Sequence, residues 1–201
     1  MLEIPKGYYL SSISELKIDG WLYRTEGFKQ TQLWSDSLVK PFKDCIDYRR
    51  YFRGMHKNKK FFAKQYLEPA HPFESIEDSV EYHFQNLLFL KDTGCTPKPL
   101  FLTHDTVGME YIEGRTIKNL VLENKLTIEL ARKIVDSLET NGKAIIRDLG
   151  SMGRRYDCSD NNILVREHCF SDGEIVFIDF DPAIKGNAIN NVIKKIWSLA
   201  R

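Results

Sequence analysis

The chain has 201 residues, with 29 lysines and arginines against 28 aspartates and glutamates, and 42% of its side chains are hydrophobic. That length fits one domain or two small lobes with a sizeable core, and the near-cancelling charge provides no global field for nucleic acid or an anionic membrane. No apolar run approaches the roughly 18 residues of a membrane span, residues 1–7 lack the charged-then-apolar order of a secretory signal, and Cys45, Cys95, Cys158 and Cys169 form no CxxC pair suggesting zinc or a disulfide framework. The expectations are therefore a reducing compartment, no nucleic-acid partner, no transmembrane segment and a monomer. Basic clusters such as Arg49-Arg50 and Lys194-Lys195 read as solvated faces, and the five histidines show no ligand spacing.

Residues 1–28 are mixed, with Tyr8-Tyr9-Leu10 and Trp21-Leu22-Tyr23 as apolar anchors. From Lys29 the texture becomes strand-like, through Thr31, Leu33 and Leu38-Val39, and the aromatic-rich residues 48–52 predict a further strand. A turn through Gly54 and Asn58 leads into Phe61-Phe62-Ala63-Lys64-Gln65-Tyr66, a strand with one lysine among apolar neighbours. An amine there needs a counter-charge or an anionic ligand; the ordinary alternative is a stem that snorkels past a strand edge. Residues 73–92 follow helical spacing through Val80, Phe84, Leu87, Leu88 and Lys91, with Thr93-Gly94 as the stop. Glu77 and Glu81 lie one turn apart on that helix, and Glu81 is the preferred partner for Lys64.

Leu100-Phe101-Leu102 and residues 107–112 predict a hairpin that ends at Glu113-Gly114. Backbone groups along Met109, Glu110, Tyr111 and Ile112, left unpaired where the strand ends, could hydrogen-bond a purine edge. Residues 116–123 and 127–149 read as helices, the second with a stripe of Ile128, Ala131, Ile134, Val135 and Leu138 and a break at Asn141-Gly142. A last amphipathic helix covers 187–200, with Ile189, Val192, Ile193, Ile196 and Leu199 on its apolar face.

Between these helices lies the most informative stretch, 155–181. Asp157 is followed by Asn162, which opens the run Ile163-Leu164-Val165; a second run, Ile175-Val176-Phe177-Ile178, ends on Asp179. A strand, a turn at Ser171-Asp172-Gly173 and a return strand would bring Asp179 beside Asn162. That arrangement suits Mg2+ held by Asn162 and Asp179, with Asp157 facing an acceptor hydroxyl.

Taken in order, these features resemble the protein-kinase-like superfamily over roughly residues 30–200. Phe-Ala-Lys is similar to the family's Val-Ala-Ile-Lys, which implies contact between Lys64 and the ATP phosphates. Arg-Tyr-Asp-Cys-Ser-Asp-Asn-Asn resembles the His-Arg-Asp loop, with Asp157 as base and Asn162 as metal ligand; Ile-Asp-Phe-Asp resembles Asp-Phe-Gly, with Asp179 as principal Mg2+ ligand. The resemblance implies an α+β, two-lobed kinase-like fold: an antiparallel-sheet N-lobe with one helix over about 1–112, and a short, mainly helical C-lobe over 113–201. It further implies ATP and Mg2+ as cofactors, and a catalytic set of Asp157, Lys64 and Glu81.

Three departures qualify the likeness. No Gly-x-Gly-x-x-Gly loop precedes Lys64, and residues 35–44 occupy its place without a glycine. Asp181 replaces the glycine of Asp-Phe-Gly, with no Ala-Pro-Glu segment after it. Tyr156 stands where arginine is usual. The pattern is closer to small bacterial enzymes, either effector-type protein kinases or the Kdo-type sugar kinases of lipopolysaccharide. The acceptor expected is Ser, Thr or Tyr of a protein, the alternative an anionic sugar read by Arg154, Arg155 and Lys185. A non-catalytic nucleotide-binding module is the third reading. Location would be the cytoplasm, or a host cell reached without a cleavable signal.

Overall fold

The computed structural model describes residues 8–10, 15–18, 21–24, 31–32, 49–56, 58–70, 72–166, 173–181 and 189–200. The segment 35–44, the strand expected at Leu38-Val39, Lys185, and the turn residues Ser171 and Asp172 lie outside these. The fold is α+β: a four-stranded antiparallel sheet is followed by helices and a second, small antiparallel sheet. The chain divides into two compact units, 1–81 with 99–111, and 82–98 with 112–201.

In the first unit β1 (Tyr8–Leu10), β5 (Arg49–His56), β6 (Lys59–Tyr66), β7 (Pro99–Leu102) and β8 (Thr106–Glu110) form one sheet in the order β1-β5-β6-β8-β7. The four strands β5, β6, β8 and β7 are extended at the β5 edge by the three-residue β1. A separate meander joins β2 (Glu15–Ile18), β3 (Trp21–Arg24) and β4 (Thr31–Gln32). Gly54, expected in a turn, is instead a ladder residue opposite Phe61. The connection carries Asn58 at φ 63°, a left-handed conformation that asparagine tolerates. Strand period two sets Phe61 and Ala63 on one face, where they pack with Phe101 and Phe52. The Phe61 and Phe101 rings meet edge-on at 5.7 Å. Gly108 makes that packing possible, because a Cβ there would lie 2.1 Å from the Phe101 ring. At the sheet's edge, Asp105 accepts hydrogen bonds from Gln65 and Thr106 at 2.7 Å each and so fixes the β7–β8 turn.

Helix α1 (Ile76–Leu90) starts where the Ser75 hydroxyl accepts the Asp78 amide at 3.0 Å. Its buried face is Ser79, Val80, His83, Asn86, Leu87 and Leu90. The expected stripe is thus rotated: Phe84 and Leu88 are half-buried and Lys91 is exposed. Apolar count alone misplaced the face, because α1 buries three polar side chains, Ser79, His83 and Asn86, that find partners.

The second unit carries α2 (Ile117–Leu122), α3 (Ile128–Ser137), α4 (Lys143–Ser151) and α5 (Ile189–Leu199). Thr116 and Thr127 cap α2 and α3 through their hydroxyls. Ile128, expected on the stripe of α3, is 54% exposed, while Leu130 takes a buried place. The break expected at Asn141-Gly142 is a π turn, Leu138–Gly142, that keeps α3 and α4 in one path. A Cβ at Gly142 would come within 2.5 Å of Ile189 and 3.0 Å of Phe177. Gly114, expected to end a strand, begins one: β9 (Gly114–Thr116) pairs with β10 (Ile163–Arg166), which pairs with β11 (Ile175–Phe177). Among the described residues no helix is long and apolar enough to cross a membrane.

Candidate functional site

The sheet β11-β10-β9 builds the site in the second unit. Ile163 opposes Phe177 in the β10–β11 ladder, and one residue further out the Ile178 amide donates to the Asn162 carbonyl at 2.9 Å. Asn162 and Asp179 are therefore brought to neighbouring strand ends, as their spacing predicts. Asp179 then leaves the strand at φ 63°. For a residue with a side chain that conformation costs on the order of 1 kcal/mol, and it persists where surroundings over-determine it.

The loop before β10 is anchored on both flanks. Lys118 donates its amide to the Asp160 carbonyl at 3.2 Å, and Lys195 of α5 reaches the Asp160 carboxylate at 2.7 Å. Within the loop, Asn162 Nδ2 donates to the Asp157 carbonyl at 3.0 Å. The nitrogen is thereby committed to backbone and Oδ1 is the side chain's remaining polar atom, an oxygen of the kind a hard cation takes. The Asp179 carboxylate supplies a second hard donor, so the residues present fit Mg2+ in their chemistry. No group of three or more His, Cys, Asp and Glu arranged for a metal occurs among the described residues. A carboxylate and a carboxamide, with waters and phosphate oxygens completing the shell, is the sparser set that Mg2+ accepts.

Tyr156 ties these residues together. It is 3% exposed, and its hydroxyl lies 2.7 Å from the carbonyl oxygens of both Asn162 and Ile178. Its ring meets Phe177 edge-on at 5.7 Å and Phe180 at 5.0 Å. Burial above all, then Cys158, Asp179 and Asp157, push its phenol well above the ordinary value. Both carboxylates thus lie within electrostatic reach of one hydroxyl. Cys158 is buried too, and burial followed by the Asp157 charge pushes its thiol up to about 12.

A second brace comes from α1. Asn86 donates to the Phe180 carbonyl at 3.2 Å, and the Arg154 guanidinium donates to the Asn86 oxygen while lying 4.9 Å from the Tyr82 ring centroid. His83 Nδ1 is 3.1 Å from the Asp181 carboxylate, with the ring nitrogen donating. Asp181 thus has a partner on α1.

In the first unit Lys64 is 3% exposed, on a strand hydrogen-bonded along both sides, so snorkelling past a strand edge does not account for it. Its Nζ lies 5.3 Å from the Tyr66 ring centroid, on the same face two residues on. Glu81 and Glu77 are exposed on α1, and no ion pair joins Glu81 to Lys64 among the described residues. The physical reason is the rotation of the α1 stripe, which turns position 81 outward. Met109 is buried in β8 and Glu110 opposes Phe61 in the ladder. Tyr111 spends its amide on the Lys60 carbonyl at 3.4 Å, and its ring has the Arg53 guanidinium 4.9 Å from the centroid. Ile112, also buried, begins the next unit's share of the chain.

The residues that sequence reasoning missed are Tyr156, His83, Asn86 and Asp160. A signal existed for two of them: His83 and Asn86 share a face with Val80, Leu87 and Leu90, and a polar group on an apolar stripe calls for a partner. No protein-family model matches the chain, and no curated protein matches it either.

Proposed function

We propose that this chain is an ATP-dependent phosphotransferase of the protein-kinase-like type, moving the γ-phosphoryl group of ATP to a hydroxyl, with Ser, Thr or Tyr of a protein as the acceptor. The observation that carries this reading is the adjacency of Asn162 and Asp179, locked by the Ile178–Asn162 hydrogen bond with Asp157 at the loop's start. Phosphoryl transfer asks little covalent work of a protein; it asks for metal ligands, a cation for phosphate and one carboxylate for the acceptor.

In this reading Asn162 Oδ1 and the Asp179 carboxylate hold Mg2+, which when bound neutralises phosphate charge. Asp157 orients the acceptor hydroxyl and takes its proton as the oxygen bonds to phosphorus and the bond to ADP breaks. Lys64 would provide the ammonium for the phosphates, the role that the resemblance of Phe-Ala-Lys to Val-Ala-Ile-Lys implies. Arg154 is engaged by Asn86 and Tyr82, so it is poorly disposed to read an anionic sugar. That favours the protein acceptor over the Kdo-type sugar kinase.

The test uses Asp179→Asn, because asparagine tolerates the left-handed backbone and removes only the charge. With γ-labelled ATP, Mg2+ and a lysate as acceptor, the wild type should incorporate label and the variant about 1000-fold less. Equal incorporation by the two proteins sinks the proposal. Label passing only to lipopolysaccharide core would move the acceptor to a sugar.

A further inference from the structure

Resting on that reading, we propose that Tyr156 is the positioning residue of the site: its hydroxyl clamps the Asn162 and Ile178 carbonyls and so sets the separation of the metal-binding pair. Among the described residues, the hydrogen bonds and ring contacts of this side chain fall on Asn162 and on residues within two positions of Asp179. The hydroxyl reaches Asn162 itself and the residue before Asp179, at 2.7 Å each. The ring touches Phe177 and Phe180, two before and one after Asp179. Tyr156 also directly precedes Asp157 in the chain. One rigid group therefore registers all three residues.

Two facts make a clamp necessary here. The ladder ends at Phe177, so Asp179 lies beyond the regular pairing that would otherwise fix it. Its backbone is also in the left-handed region, which relaxes unless held. A phenol suits the task, because it has one proton to share between two carbonyls and no charge to compete with the metal.

Tyr156→Phe removes the hydroxyl and keeps the ring. In the phosphotransferase assay its half-saturating Mg2+ concentration should rise about tenfold, the size expected when a metal ligand loses its outer support, while kcat at saturating Mg2+ falls much less. Leu130→Ala, a core truncation on α3, lowers stability without altering Tyr156 and should leave the Mg2+ requirement where it was. An active Tyr156→Phe protein with the wild-type Mg2+ requirement overturns the positioning role and leaves only packing.

Amide hydrogen exchange supplies a readout independent of activity. The Ile178 amide, bonded to the Asn162 carbonyl, should exchange about tenfold faster in Tyr156→Phe, whereas the Phe177 amide, bonded to the Cys95 carbonyl at 2.8 Å, should not change. Unchanged Ile178 exchange overturns the clamp whatever the activity. A wild type that transfers no phosphate sinks the phosphotransferase reading alone, since the exchange comparison still decides the clamp.

Discussion

Lys64 and Asp179 stand on strands of very different construction. Lys64 lies inside an eight-residue strand paired on both sides, with Tyr51 opposite on β5 and Val107 opposite on β8. Asp179 lies two residues past a three-residue strand, and its surroundings are held by the side chains of Tyr156, Asn86 and His83. A long ladder positions a residue through backbone register, and most single side-chain changes leave that register alone. A short one passes the task to a few side chains, each of which becomes a point of failure.

The contrast can be broken most severely in the long sheet by forcing the backbone apart. Gly108→Ala sets a Cβ against the Phe101 ring, itself confined by Phe61, and should destabilise the protein by about 3 kcal/mol. Thermal or urea unfolding measures it, and adding Phe101→Leu should recover part of the loss; full wild-type stability in the single variant would show that the ring moves freely. Next in size, Lys64→Met should lower kcat/KM about 100-fold, ~2.7 kcal/mol of transition-state stabilisation. The unfolding midpoint, measured alongside, separates a lost phosphate contact from lost folding stability. Loss of stability with full activity would make Lys64 a structural residue.

At neutral pH the smallest effect lies beside the short sheet, and it is read at alkaline pH. The Cys158 thiol is pushed from its ordinary value near 9 up to about 12 in the folded protein, so above pH 9 the unfolded chain releases a proton that the native state retains. Stability is therefore fully present below pH 9 and declines between 9 and 12, by at most about 1.4 kcal/mol per pH unit from this group. Cys158→Ala should flatten that decline, read as the unfolding midpoint against pH; an unaltered slope would assign the loss to Tyr156 and other groups.

The legible parts of this chain follow the same division. The Lys64 strand, the 100–112 hairpin and the return strand to Asp179 could be read from apolar period and turn residues, since backbone pairing makes that period visible. The neighbouring strand ends of Asn162 and Asp179 could be read because their spacing follows the strand, turn and return strand that the backbone makes. The exposed placement of Glu81 was not legible, because its nearness to the apolar centre of the helix was the guide, and the buried polar residues Ser79, His83 and Asn86 shift that centre. Tyr156 and Asp160 were invisible for another reason: their partners are a pair of carbonyls and a lysine thirty-five residues on, and no local pattern encodes either.

The π turn at Leu138–Gly142 has a consequence for descent. Bulges of this kind add one residue to a helix, and each residue turns an α-helix by about 100°. A distant relative with an uninterrupted helix here would be one residue shorter between Leu138 and Ile145. Its apolar positions would align with this chain only across a single-residue gap inside a helix, where gaps are ordinarily disallowed. The phase of Ile145 and Leu149 against Ile134 and Leu138 is thus a heritable mark by which kinship can be recognised after the surface residues have diverged.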